Sequence, residues 1–138
     1  QIAERLDKAQ IRAKRRLAET ASLSPPPPAI LEQLERDLHT DIILRQCPNQ
    51  QLRETIRRSQ LPVIATHSTF AALQKHTEVS TMIAEHIEVF DLLLAGRYGD
   101  AGKILEAHLR RSLGSQVDLL RHLRPLPDES LPSYLVRT

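Results

Sequence analysis

Four side chains in this sequence interrupt apolar stripes with groups that bind cations: Glu35, His39, His86 and His108. Glu35 and His39 are four residues apart, so on a helix one sits above the other, on the face that also carries Leu31, Leu38 and Ile42. A carboxylate there is buried, and an unpaired buried charge is costly, so Glu35 needs a partner. His86 stands between Ile83 and Phe90, and His108 between Ile104 and Leu109, in line with Leu105. The turn joining their helices centres near Tyr98, 12 residues after His86 and 10 before His108. At about 1.5 Å of rise per residue, the two rings stand roughly 18 and 15 Å from that turn. In an antiparallel hairpin that is nearly one depth.

If the Glu35–His39 helix packs against this hairpin, three imidazoles and one carboxylate meet. That donor set suits Zn²⁺ or Ni²⁺. Such an ion would keep Glu35 ionised and the histidines neutral, and an octahedral one would leave positions for water or an effector's carboxylate. Taken singly, each residue also has a plain structural reading. A histidine on an apolar face can be a hydrogen-bonded core residue, and Glu35 can pair with a neighbouring arginine. Only the joint spacing sets the metal reading beside those. His67 shares a stripe with Val63 and Phe70 and can line the same interior, whereas His76 and His122 read as surface residues.

The elements that must position these groups read as helices, because apolar residues recur at helical spacing and strand-like alternation is scarce. Ile2, Leu6, Ala9, Ala13 and Leu17 form one seam, which predicts a first helix over about residues 1–20. Residues 22–28, ending in four consecutive prolines, break it. Such a run cannot continue a helix and forms an extended, stiff linker; a docking site for a proline-recognising partner is the sharper alternative. The second helix carries Leu31, Leu34, Leu38 and Ile42 and stops near Cys47-Pro48-Asn49. Residues 51–73 read as one long helix or two, interrupted or kinked at Pro62. The next helix spans about residues 79–95, with Ile83, Ile87, Phe90 and Leu94 inward and Gly96 as its C-terminal cap. Asp100 suits the N-cap of a last helix bearing Ile104, Leu105, Leu109, Leu119, Leu120 and Leu123. From Pro125 onward the tail is expected to be irregular. The expected fold is all-α: an antiparallel bundle of about six helices with an internal ligand and metal cavity, in one domain over residues 1–138.

Composition narrows the class. With 138 residues, 41% of them hydrophobic, the chain can bury a real core. A net charge of +2 lacks the basic stripe of a nucleic-acid binder, and the run Arg12, Lys14, Arg15, Arg16 reads as a solvated helix face. Cys47, the one cysteine, excludes a disulfide framework and a cysteine metal cluster, and points to a reducing, cytoplasmic compartment. No apolar stretch approaches the roughly 18 residues of a bilayer span, and no membrane association is expected.

The ligand candidates lie in recognisable text. The run Glu35-Arg36-Asp37-Leu38-His39, then Ile42-Ile43 and Cys47-Pro48-Asn49-Gln50-Gln51-Leu52, resembles the signature of the C-terminal effector-binding domain of FadR-branch GntR regulators. Glu85-His86, Ala95-Gly96-Arg97-Tyr98-Gly99-Asp100-Ala101 and Ala107-His108-Leu109 are similar to that family's closing segment. The resemblance covers about residues 30–112. It implies a dimerising, antiparallel helical domain that binds a small organic acid over a divalent ion held by one acid and three histidines, here Glu35, His39, His86 and His108. Glu35 stands where the family usually has Asp, and Leu38 where it usually has Phe. The resemblance also implies a winged helix-turn-helix ahead of Gln1, through which operator DNA would be bound. Arg57 and Arg58, with His67, are candidates to grip the effector.

The expected function is therefore a ligand-sensing, homodimeric regulatory domain and not an enzyme. A metal-dependent helical hydrolase or oxygenase is the first rival, because a site with open positions can activate water. Against it, the chain has neither the paired Glu-x-x-His of di-iron bundles nor His-Glu-x-x-His. The second rival is a plain helical dimerisation module whose histidines are core residues.

Overall fold

Asp7 opens the first helix: its side chain accepts hydrogen bonds from the backbone N–H groups of Ala9 and Gln10, satisfying donors that a helix N-terminus leaves orphaned. The computed structural model describes residues 7–58 and 76–121, and among them every regular element is helical. Helix α1 spans Lys8–Ser22 and buries Ile11, Ala18 and Ala21. The seam expected through Ala9 and Ala13 is turned outward, and both alanines are exposed. Ile11 decides the phase, since burying its larger apolar surface contributes more than burying a methyl group. Ile2 and Leu6 lie outside the described residues.

The proline run behaves as expected until its last member. Pro27 is extended, and Pro28 is the first residue of α2 (Pro28–Glu35). A helix tolerates proline there because the missing N–H would have had no partner. The chain then continues without a break into a π-helical stretch, Arg36–Leu44, whose wider turn is still visible where the N–H of Arg45 donates to the carbonyl of Thr40. Along this run Leu31, Leu34, Glu35, Asp37, Leu38, His39, Ile42 and Leu44 are buried. The helix ends at Cys47, as the Pro48-Asn49 pair predicts. Asn49 then caps α3, described over residues 50–58, by accepting the N–H of Leu52 at 2.9 Å. The kink at Pro62 and the irregular tail from Pro125 fall outside the described residues.

Helix α4 (His76–Leu94) and helix α5 (Tyr98–Arg121) form an antiparallel hairpin. Gly96, at φ +75°, ends α4 as expected. The N–H of Arg97 donates to Leu92 and that of Gly96 to Leu93, the paired bonds of a Schellman cap. Asp100 is not the N-cap of α5. The helix begins at Tyr98, and Asp100 sits in its first turn, bonded to Arg97 at 2.8 Å. A carboxylate in the first turn still meets the positive end of the helix dipole.

Helix α1 packs chiefly against α4, and α4 against α5. One apolar core joins Ile11, Leu34, Leu38, Ile42, Ile83, Val89 and Phe90. Ile87 and Leu94, expected inward, pack at its margin. Leu109 departs from expectation: it is 50% exposed, because the phase of α5 is set by Ala101 and His108 on its inward side. The side chains of Leu119 and Leu120, and all of Leu123, lie outside what is described.

The basic run on α1 is only partly a solvated face. Arg12 and Arg16 are exposed. Lys14 instead reaches across to the π-helical stretch, donating to Asp37 and, at 2.9 Å, to Asp41. Gln33 also donates to Asp37, at 2.8 Å, so this buried carboxylate is held from two elements. Burial pulls the Lys14 ammonium toward neutrality, but the two aspartates outweigh it and hold its pKa above the ordinary value. Arg15 pairs with Asp91 and ties α1 to α4.

Candidate metal centre

The four residues singled out by spacing come together. Glu35 and His39 arrive on the junction of α2 with the π-helical stretch, His86 from the middle of α4 and His108 from α5. One donor atom from each lies within 4.8 Å of all the others. Their relative exposures are 6%, 8%, 0% and 2%, so the cluster sits inside the core. The depth argument for the hairpin holds: the Nε2 atoms of His86 and His108 are 3.4 Å apart. Glu35 Oε1 is 3.4 Å from His86 Nε2, and Glu35 Oε2 is 3.6 Å from His39 Nε2. The ring of His39 stacks on His108 with centroids 5.3 Å apart, and His86 meets both rings edge-on.

Local backbone contributes to this convergence. A π-helical stretch is uncommon and is found often at functional sites. Here it begins immediately after Glu35 and includes His39. The helical periodicity of the sequence does not reveal it.

The electrostatics show what the cluster needs. Burial pushes the Glu35 carboxyl up to about 7, because a desolvated carboxylate favours its neutral form. Its Oε1 is fully buried and has no hydrogen-bond partner among the described residues. Burial likewise lowers the pKa of His108, favouring the neutral ring, although Glu85 acts in the opposite direction. A divalent cation among these donors would satisfy the buried carboxylate oxygen and select neutral imidazoles. The donor set and the orphaned oxygen therefore fit a bound metal ion.

Two further residues were not found from spacing. His108 Nδ1 lies 2.8 Å from Glu85 Oε2, and Arg111 makes a two-pronged contact with the same carboxylate. Depth matching across the hairpin, which pairs His86 with His108, also carries Glu85 to the level of Arg111, so a signal was present. It lacked any reason to assign a role to this mostly buried acid.

Of the remaining candidates, Arg57 and Arg58 are among the described residues. Arg57 and Arg58 are exposed on α3, each bonded to Glu54 at 2.9 Å. His67 and His122 lie outside the described residues, as does the side chain of His76. An apolar cleft of about 770 Å³ opens between the end of the π-helical stretch, α3 and the turn end of the hairpin, lined by Ile42, Leu52, Ile56, Val89, Leu93 and Leu105 among others. Ile42, Val89 and Leu105 are each one turn from a cluster residue, yet none of the four cluster residues lines the cleft. Among the described residues, no helix is long and apolar enough to cross a membrane. No protein-family model, curated protein or solved structure matches the chain.

Proposed function

We propose that this chain is the ligand-sensing, dimerising regulatory domain of a GntR-type transcription regulator, binding a small organic acid at an interior divalent ion. The observation that carries the reading is the convergence of Glu35, His39, His86 and His108, all buried, from three separate helical runs. Their order and sequence context are those of the FadR-branch resemblance. A core has no packing reason to leave the buried Glu35 Oε1 beside three imidazoles without a hydrogen-bond partner among the described residues, since buried polar groups without partners are costly.

In this reading the three histidines and Glu35 hold the ion, and Zn²⁺ or Ni²⁺ suits them. A bound divalent ion supplies a concentrated positive charge and, if octahedral, positions for an outside oxygen ligand. The protein's own part is to hold the three imidazoles in the core, where burial favours the neutral ring of His108, and to exclude water through Leu38, Ile83 and Phe90. An effector that binds one arrangement of the dimer more tightly shifts the population toward it. Operator affinity then changes in a winged helix-turn-helix joined ahead of this domain.

The test has two parts. The purified chain should carry stoichiometric metal by elemental analysis, and His86→Ala or His108→Ala should abolish it. Thermal-shift screening of di- and tricarboxylates and sugar acids should find a ligand that stabilises metal-loaded protein. A ligand at a hundredfold excess over Kd adds about 2.7 kcal/mol, which is several degrees in Tm for a domain of this size. Unchanged metal content in both variants refutes the site. Equal shifts in loaded and chelator-treated protein place the effector away from the ion.

A further inference from the structure

We propose that Glu85 and Arg111 are positioning residues for the metal centre: they lock the ring and tautomer of His108 so that its Nε2 is the atom presented to the ion. The inference rests on the metal-centre reading above and extends it beyond the four ligands.

The geometry supplies the argument. His108 is nearly fully buried at 2% exposure and uses its two ring nitrogens in opposite directions. Nε2 faces the cluster, 3.4 Å from His86 Nε2. Nδ1 faces away, 2.8 Å from Glu85 Oε2. Arg111 grips both oxygens of Glu85, Nη1 on Oε1 and Nη2 on Oε2. Held by a guanidinium, Glu85 is ionised and can only accept, so Nδ1 must be the protonated nitrogen that donates to it. A neutral ring protonated at Nδ1 has its lone pair on Nε2, the nitrogen in the cluster. The relay Arg111–Glu85–His108 therefore selects the ligand-competent tautomer before any ion arrives.

Placement along the chain fits the same role. Glu85 is adjacent to His86 on α4, and Arg111 is one turn beyond His108 on α5. The pair spans the hairpin at the level of the cluster, so it also fixes the relative height of the two helices that supply two of the four ligands. Carboxylate partners of metal-bound histidines commonly raise the basicity of the ring, and their loss typically costs about 10–100-fold in metal affinity.

The experiment measures Zn²⁺ affinity by chelator competition, and the visible spectrum of the Co²⁺-loaded protein, for the wild type, Glu85→Ala, Glu85→Gln, Arg111→Ala and Arg111→Lys. Arg110→Ala serves as a control that removes a neighbouring exposed cation. Long-range ¹H–¹⁵N spectra of the metal-free proteins report the tautomer of His108 directly. The expected result is a loss of about 10–100-fold in affinity for Glu85→Ala, a smaller loss for Glu85→Gln and Arg111→Ala, and recovery toward wild type in Arg111→Lys. Glu85→Gln keeps an acceptor and the side-chain shape, so it carries the test if the alanine variant fails to fold. His108 should be protonated at Nδ1 in the wild type and Glu85→Gln, and should lose that preference in Glu85→Ala. Arg110→Ala should match the wild type throughout. Wild-type binding with unchanged affinity and Co²⁺ spectrum in both Glu85 variants overturns the positioning role and leaves the metal centre standing. A wild type that binds neither Zn²⁺ nor Co²⁺ overturns the metal centre and this inference with it.

Discussion

Replacing Glu35 with glutamine should stabilise the metal-free protein at neutral pH, although it removes a residue from the core of the site. Burial holds the Glu35 carboxyl at about 7, against an ordinary value of 4.5. Each tenfold change in proton affinity corresponds to about 1.4 kcal/mol, so the full displacement is worth about 3 kcal/mol. The sign follows from which state binds the proton. Below the unfolded pKa both states are protonated, and glutamine mimics the neutral acid at little cost. As pH rises toward about 7, the unfolded chain ionises freely while the native state must either keep the proton or bury a charge. Wild-type stability relative to the variant is therefore lost across this window and stays lost above it.

The groups facing Glu35 are His39 from the π-helical stretch, His86 from α4 and His108 from α5. The assay is urea unfolding of chelator-treated wild type and Glu35→Gln from about pH 4 to 8, with the midpoints converted to free energy at constant slope. The difference should grow from near zero to about 3 kcal/mol in favour of the variant. Saturating Zn²⁺ should then reverse the order, because only the wild type offers a carboxylate to the ion. A difference that stays flat across the pH range would refute the desolvation argument, and one favouring the wild type throughout would show that Oε1 has a partner in solution.

Other outcomes follow from the packing. Phe90 is 1% exposed at the centre of the core, and Phe90→Ala should cost about 3–5 kcal/mol by denaturant titration. Lys14→Met should cost about 2 kcal/mol near neutral pH by denaturant titration, because Asp37 is left buried with, among the described residues, only the Gln33 side chain still donating to it. Gly96→Ala meets no atom within 4 Å, so any loss reports the strain of φ +75° alone, about 1–2 kcal/mol in Tm-derived stability.

Much of the site was legible because its cues are local. Proline cannot continue a helix, so the run ending at Pro28 separates α1 from α2 whatever surrounds it. Glycine adopts positive φ without a side-chain clash, so Gly96 could be read as the cap of α4. Helical rise is constant, so the common depth of His86 and His108 followed from counting residues about the turn. Spacing alone left open whether the Glu35–His39 run meets that hairpin, and only packing brought the four donors together. Tertiary contacts likewise decided which face of a helix is inside. The large aliphatic Ile11 overrode the alanine seam of α1, Lys14 turned inward to two aspartates, and Leu109 was left facing out. The π-helical winding and the Arg111–Glu85–His108 relay belong to the same class. Periodicity states that a helix has an apolar side, but its final rotation is set by the neighbours that fill volume and satisfy charge, and those neighbours are far away in sequence.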